Sequence, residues 1–502
     1  MSMSGTSPFY AMMRHRLRSF WVFDPLVPIG ILSFAFGIVL RLRQQSHLPL
    51  WLDETFTGAI AAEPTWKAVF QQIFLDVNAP GYYVIAHVWA SLTSISNYSL
   101  RAPALFFGLV GPLLCLVGAP GLRSRARWTW FILVSLWLPA IIYSNEARTY
   151  SLVFLLAITN TLAFVRFLEV RSLGSAFLWC GSASVLLLTH YLALFLVAAQ
   201  AAILLAALGA RLFQFWPASG PMFAAMAFMA AHSSRVREFA DPNVAWYPLL
   251  TIKQLPMIVD WMWGPLWAAA VLLCVLLIYN RFSQKAPSSP VEPVSSDATW
   301  LAVFAGAVGW IAFLVLCFLR PNFAARYQII FAPALLLGLA LLAERACEIR
   351  SYTSIALVLV AIAPGLGYLN SDRHSLNAFE FESGSQFLMG LGAHEVTFLW
   401  DNPLNQVMAP EQMDLVGGFF FKRSASNAIV RSIRLPVGTD PNLALAAETK
   451  KPYSGFIWVY DLAVRSTAAI KYPPHFDPAL YRCHATAMRS PVVLACIRTS
   501  GA

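Results

Sequence analysis

Apolar runs about as long as a bilayer is thick recur along this 502-residue chain, and they restrict its fold more than any other feature. They lie at about 25–42, 101–119, 128–145, 149–166, 174–189, 191–209, 218–232, 263–280, 299–319, 326–343 and 352–369. Roughly 20 apolar residues span the hydrocarbon layer, and in that layer each backbone N–H and C=O must find its partner within the segment. The runs are therefore expected to be helices. Only 12% of residues are charged and mean hydropathy is +0.62, whereas a soluble domain carries about 25% charge. These features define an α-helical polytopic membrane protein. The net charge of +10 would suggest nucleic acid in a soluble chain. Here the basic residues sit mostly in short loops, the mark of membrane topology, and no nucleic-acid partner is expected.

The segment 80–96, PGYYVIAHVWASLTSIS, is apolar enough to be a twelfth span. If it lies in the interface instead, Arg123, Arg125, Arg127, Arg166, Arg171, Arg211, Arg281, Lys285, Arg345 and Arg350 all fall on one side. The positive-inside rule makes that side cytoplasmic and favours eleven spans. Arg14, Arg16 and Arg18 precede the first span with no small-residue cleavage site, so the N-terminus reads as cytoplasmic. The stretch 283–297, rich in Pro and Ser, reads as a flexible cytoplasmic linker.

After residue 370 the composition changes: 371–502 hold 23 of the 60 charged residues. Apolar runs shorten to strand length at HEVTFLW, GGFFF, SGFIWVY and SPVVLACI, with helix-like stretches near 384–392 and 403–413. The chain thus divides into a membrane domain, 1–370, and a small soluble α/β domain, 371–502, on the outer side. Five cysteines lie in apolar segments and act as small hydrophobes. Cys483 and Cys496 flank a hairpin turn in the tail, where an oxidising space permits either a disulfide or two thiols.

The first outer loop, 43–100, holds the acidic stretch WLDETFTGAIAAEPTWKAVFQQIFLDVNAPGYY with Asp53, Glu54, Glu63 and Asp76. Carboxylates beside hydrocarbon are costly and mark a site more often than a scaffold. The same face gathers Glu146, Tyr82, His190, Arg101, Arg148, Arg235, Arg237, Lys253 and Arg326. A carboxylate can deprotonate a hydroxyl or hold a divalent cation, and arginine forks match a phosphate. Acid, arginine and aromatic rings at a bilayer surface fit a lipid-phosphate-linked sugar. Each residue also has a plainer reading: Asp53 as a helix N-cap, the arginines as snorkelling side chains at span ends, His190 as a structural residue of a turn. On residues alone a transporter is nearly as good a reading, and metal dependence stays open.

WLDE after the first span, then DVNAPGYY, SLRAPALFFGL, SNEARTYSL and THY, resembles the GT-C glycosyltransferases. The nearest group contains the dolichyl-phosphate-mannose protein mannosyltransferases and the bacterial aminoarabinose and galacturonic acid transferases that modify lipid A. The match in order and spacing covers residues 1–200. It departs at Asn78 and Ala79, where the pattern usually has His and Pro, so no role for that histidine carries over. The resemblance implies a GT-C membrane fold with outer juxtamembrane helices and inverting transfer from a polyprenyl-phosphate sugar. Asp53 would be the general base, with Glu54 orienting it. Asp76, Glu146 and Tyr82 would lie near the acceptor. Arg101 and Arg148 match family positions and would serve the donor phosphate; from their placement alone, Arg235, Arg237 and Lys253 on a long outer loop at 232–262, Arg326 beside Tyr327, and His190 are further candidates for it.

The expected acceptor is a glycolipid, a polysaccharide or a protein, and the expected location a bacterial inner membrane with the site facing the periplasm. The competing readings are a flippase and a polymerase of polyprenyl-linked glycans. Transporters tend to show internal repeats and charges near mid-membrane, whereas here no repeat is found and most charges lie at the ends of the expected spans, which favours the enzyme.

Overall fold

A computed structural model describes residues 25–43, 49–118, 121–239, 249–283, 296–347, 352–369, 381–401, 409–435, 454–460, 481–486 and 492–498. Arg14, Arg16, Arg18, Asp241, most of the 283–297 linker and the 370 boundary lie outside these residues.

A helix occupies every expected apolar segment. In order these are α1 (Leu26–Leu42), α5 (Asn97–Val117), α6 (Ser124–Leu136) with α7 (Leu138–Tyr143), α8 (Tyr150–Val170), α9 (Leu173–Thr189), α10 (Leu194–Leu208), α11 (Gly220–Phe239), α12 (Leu255–Trp263) with α13 (Leu266–Ser283), α14 (Asp297–Leu319), α15 (Ala332–Cys347) and α16 (Thr353–Leu369). By length and composition, four helical runs among the described residues can cross a membrane: Asn97–Val117, Tyr150–Val170, Tyr191–Glu238 and Asp297–Leu319. The pair Ile252–Trp263 and Leu266–Tyr279, bent by 86°, makes a fifth. That elbow turns at Gly264, whose φ of +47° is left-handed and suits glycine, followed by Pro265.

The loop expected at 232–262 starts later than the sequence suggested. Helix α11 continues through Arg235 and Arg237 to Phe239, because Ser233 and Glu238 give those arginines partners one turn away.

Three short helices follow the first span: α2 (Leu52–Ala61), α3 (Trp66–Leu75) and α4 (Gly81–Leu92). At 1.5 Å per residue, the 12 residues of α4 reach about 18 Å, well short of a bilayer's roughly 30 Å. Trp66, Phe70 and Phe74 on α3 and Val88, Trp89 and Leu92 on α4 are exposed, the amphipathic character of helices that lie along an interface.

The C-terminal part holds α17 (Phe381–Gly390), β1 (Glu395–Asp401), α18 (Pro410–Arg423), β2 (Ile429–Arg434), β3 (Ser454–Tyr460), β4 (Tyr481–Thr486) and β5 (Val492–Arg498). The sheet order is β2-β1-β3-β5-β4. β1 pairs in parallel with β2 and β3, while β5 pairs antiparallel with β3 and β4. GGFFF, expected as a strand, lies in α18 instead. Pro410 opens that helix, and Met413, Val416, Phe419 and Phe420 recur at helical spacing on its buried side. The helix expected at 403–413 begins only at Pro410, and residues 402–408 are outside the described set. Cys483 faces Cys496 across the β4–β5 register and the two form a disulfide.

One hydrophobic cluster joins the two parts. It runs from Leu50, Ile60, Val69 and Tyr83 through Leu100 and Ala147 to Phe398, Phe419 and Ile457. The sheet domain is thus packed onto the helices that carry the acidic stretch.

Candidate active site

Asp53 sits in the first turn of α2, one residue past its start at Leu52. An acid there is favoured by the unpaired N–H groups and the positive end of the helix dipole. Its backbone carbonyl belongs to the helix, while its carboxylate, with a side-chain exposure of 24%, projects from it. Two arginines face that carboxylate: Arg148 Nη2 at 3.5 Å and Arg326 Nη2 at 3.4 Å, both to Oδ2. Arg148 Nη1 also donates to the Asp53 carbonyl at 3.2 Å. Both ion pairs are longer than the 2.7–2.9 Å usual for a charge-assisted hydrogen bond. The guanidinium groups are therefore held beside Asp53 without being locked onto it.

Glu54, next along the helix, is fully buried and does something different. It accepts from Arg101 Nε at 2.7 Å and Nη2 at 2.6 Å, from the Ala147 N–H at 2.7 Å and from the Trp51 N–H at 3.3 Å. Arg101 also donates to the Pro49 carbonyl at 3.0 Å. A buried carboxylate needs this many donors to offset its lost hydration. The result is a pin joining the start of α2, the start of α5 and the 144–149 turn. That turn carries Arg148, so the Glu54–Arg101 pair sets how Arg148 meets Asp53.

Aromatic rings complete the wall. The Arg326 guanidinium lies 5.5 Å from the Trp51 ring, 5.7 Å from Tyr150 and 5.9 Å from Tyr327, within range of cation–π attraction. His190, where α9 breaks into a short 3-10 turn, is 5.0 Å from the Tyr327 ring and 6.2 Å from Tyr150. Its Nδ1 is buried with no hydrogen-bond partner. Burial, and then the charges of Arg148 and Arg326, lower its pKa to about 3, so at neutral pH it offers a neutral imidazole. His190 and Tyr327 line a cleft of about 120 Å³ together with Asn78, Tyr191 and Asn322.

Glu146 lies in the same turn, and its Oε2 is also buried without a partner. Burial first, then the nearby charge of Glu54, push its pKa up to about 8. The Tyr82 hydroxyl is buried and unpartnered as well. Its pKa is raised by burial and then by Glu54.

Asp76 heads a separate group at the end of α3. It bonds the Tyr83 hydroxyl, and Asn78 Nδ2 donates to it at 3.0 Å. His232 Nε2 lies 2.8 Å from the Asp76 carbonyl and its Nδ1 2.6 Å from the Tyr191 hydroxyl. Arg235 Nε donates to the Leu75 carbonyl at 2.7 Å. Arg235 and His232 thus brace the 75–78 turn from α11. Arg237 and Lys253 are exposed, and Arg237 turns back to Ser233. Of the expected phosphate-binding arginines, the structure brings Arg148 and Arg326 onto Asp53 and engages Arg101 and Arg235 in bracing contacts. Sequence reading passed over His232 and singled out no role for Trp51 or Tyr150. The one signal for His232 was its helical spacing to Arg235. Among the described residues no three His, Cys, Asp or Glu side chains are grouped to hold a metal ion.

The fold is thus a polytopic helical bundle with juxtamembrane helices and a C-terminal sheet domain. Two structures of ArnT from Cupriavidus metallidurans share it nearly end to end. The apo form is 12% identical, with a TM-score of 0.55 over 94% of this chain and 98% of that one. The form bound to undecaprenyl phosphate is 13% identical, with a TM-score of 0.54 over 93% and 97%. No family model matches the sequence, and no curated protein does.

Proposed function

We propose that the protein is an inverting glycosyltransferase of the membrane, moving a sugar from a polyprenyl-phosphate donor to an acceptor hydroxyl. The observation that carries this reading is Asp53, a partly exposed carboxylate flanked by two arginines at 3.5 and 3.4 Å. The ArnT structure that holds undecaprenyl phosphate supports a lipid phosphate as the anion those arginines meet. The ordered motifs of the first 200 residues support the same chemistry.

In this mechanism the acceptor hydroxyl hydrogen-bonds to Asp53. As its oxygen attacks the anomeric carbon from the side opposite the phosphate, its proton passes to Asp53. The bond from the anomeric carbon to the phosphate oxygen breaks, and the electron pair stays on the lipid phosphate. Arg148 and Arg326 turn from Asp53 toward that growing charge, which both stabilises the leaving group and leaves Asp53 more basic. His190, neutral, hydrogen-bonds the phosphate or the sugar. Glu54 and Arg101 hold the frame. Glu146, Tyr82 and Asp76 lie on the acceptor side. The site faces the periplasm of a bacterial inner membrane, where Arg237 and Lys253 favour approach of anionic headgroups.

The test is sugar transfer from a panel of polyprenyl-phosphate sugars to membrane glycolipid, comparing wild type with Asp53→Asn. The substitution keeps shape and removes the base, so turnover falls by roughly two to four orders of magnitude in a folded protein. Equal activity in both would remove Asp53 from its role. Absence of transfer from every donor would overturn the enzyme reading in favour of a transporter.

A further inference from the structure

Arg41 is fully buried in the last turn of α1, within an apolar segment. A cation there is costly and is kept only for a specific task. Among the described residues no carboxylate forms an ion pair with it. Its partners are instead all neutral. Nη1 donates to the carbonyls of Gly37 at 3.1 Å and Ser135 at 3.0 Å, and Nε donates to Ser144 Oγ at 3.3 Å. Nη2 is buried without a partner.

The two distant partners, Ser135 and Ser144, bracket the short helix α7. The Ser135 carbonyl would normally accept from the N–H of residue 139, but that residue is Pro139, which has none. The guanidinium supplies the missing donor. At the other end Ser144 Oγ donates to the Ala140 carbonyl at 2.5 Å and accepts from Arg41. Two glycines make the space. A Cβ on Gly37 would stand 2.7 Å from the Ser135 carbonyl and 3.0 Å from Arg41 Nη1, and one on Gly108 would collide with Ser144 Oγ. One rigid fork therefore fastens both ends of α7, a geometry that a lysine ammonium cannot reproduce.

Beyond Ser144 the chain enters the reactive turn at once. The Asn145 N–H bonds the Ile142 carbonyl, the Ala147 N–H bonds Glu54, and the Arg148 N–H bonds the Glu146 carbonyl at 2.7 Å. We propose that Arg41 is a positioning residue whose guanidinium, by holding Ser135 and Ser144 together, sets the Ser144–Arg148 turn and hence where Arg148 meets Asp53. The kinetic half of this inference rests on the glycosyltransferase reading; the structural half does not.

Two variants test it in the full chain in detergent. Arg41→Lys keeps the charge and loses the fork, and Ser144→Ala removes one contact and serves if the first fails to fold. Hydrogen exchange reads the turn without any need for activity. The amides of Ala147 and Arg148 should exchange at least about tenfold faster in either variant while those of α15 stay unchanged. Unchanged exchange at the turn, or faster exchange everywhere, overturns the proposal. In the transfer assay kcat should fall by about 10- to 100-fold with the donor KM within about threefold. In an Arg148→Lys background Arg41→Lys should cost little more, because one acts through the other. Losses that multiply would show Arg41 acting by another route and overturn it. If the wild type transfers no sugar, the exchange result still decides.

Discussion

Asp53 and Glu54 are neighbours in one helical turn with opposite assignments, and their surroundings decide which is which. Glu54 is buried and enclosed by four donors, whereas Asp53 is partly exposed between two arginines at 3.4–3.5 Å. Glu146 provides a pH test on the same scale. Its native pKa of about 8 lies above the ordinary carboxylate value of 4.5. Between those two values the folded protein keeps a proton that the unfolded chain has lost, so stability falls as pH rises through this window. Above about pH 8 the full cost of a buried charge is present. Glu146→Gln should therefore lose less thermal stability than wild type on moving from about pH 6 to 9, as thermal unfolding in detergent would record. An identical pH dependence in both proteins would mean that Glu146 is ionised at neutral pH.

The elements place these residues through a few close packings. Helix α2 reaches α18 only because Gly58 has no side chain: a Cβ there would stand 2.8 Å from the Phe419 ring and 2.9 Å from Leu100. Gly58→Leu should separate the two helices, tilt Asp53 relative to Arg148 and lower transfer by about tenfold or more, with an overpacking cost of about 1–3 kcal/mol. Unaltered transfer in that variant would show that the α2–α18 contact is not needed for the site. The broken helices α6–α7 and α12–α13 follow from Pro139 and from Gly264–Pro265, all visible in the sequence. What the breaks are used for is visible only in the structure: one delivers Arg148 through the following turn, the other bends a pair of helices by 86°.

For the whole molecule the sheet domain and the juxtamembrane helices share one core, so the domain's integrity bears on the site. The half-buried pair of Glu382 and Arg423 adds a polar link, with Arg423 Nη1 donating to Asn97 at the start of α5 and Asn97 donating to Glu382, each at 2.6 Å. The Cys483–Cys496 disulfide closes a short loop, 13 residues in sequence separation. Replacing both cysteines by Ser should lower the domain's stability by about 2–3 kcal/mol, read as an earlier unfolding transition under oxidising conditions. No difference between reduced wild type and the double variant is expected, which checks that the effect is the bond and not the serines.

Much of this was legible in the sequence because the bilayer leaves few choices. Apolar run length located the helices, arginine placement argued for α4 as an interfacial element, and the acidic stretch with its ordered motifs singled out Asp53 and Arg148 as candidates, residues that the structure brings together. The errors came where local pattern lost to tertiary packing. GGFFF has strand-like composition but is held in a helix by burial against α2 and the sheet, and β2 and β4, half-exposed and polar, carried too little apolar signal. No single-sequence pattern separates Glu54 from Asp53, assigns Arg101 to a pin, or pairs Arg41 with Ser144, a partner 103 residues away. Periodicity and hydropathy are properties of neighbours along the chain, and they decided which segments enter the membrane. Which charges face one another across the bundle depends on contacts between distant residues, and only the folded structure decided that.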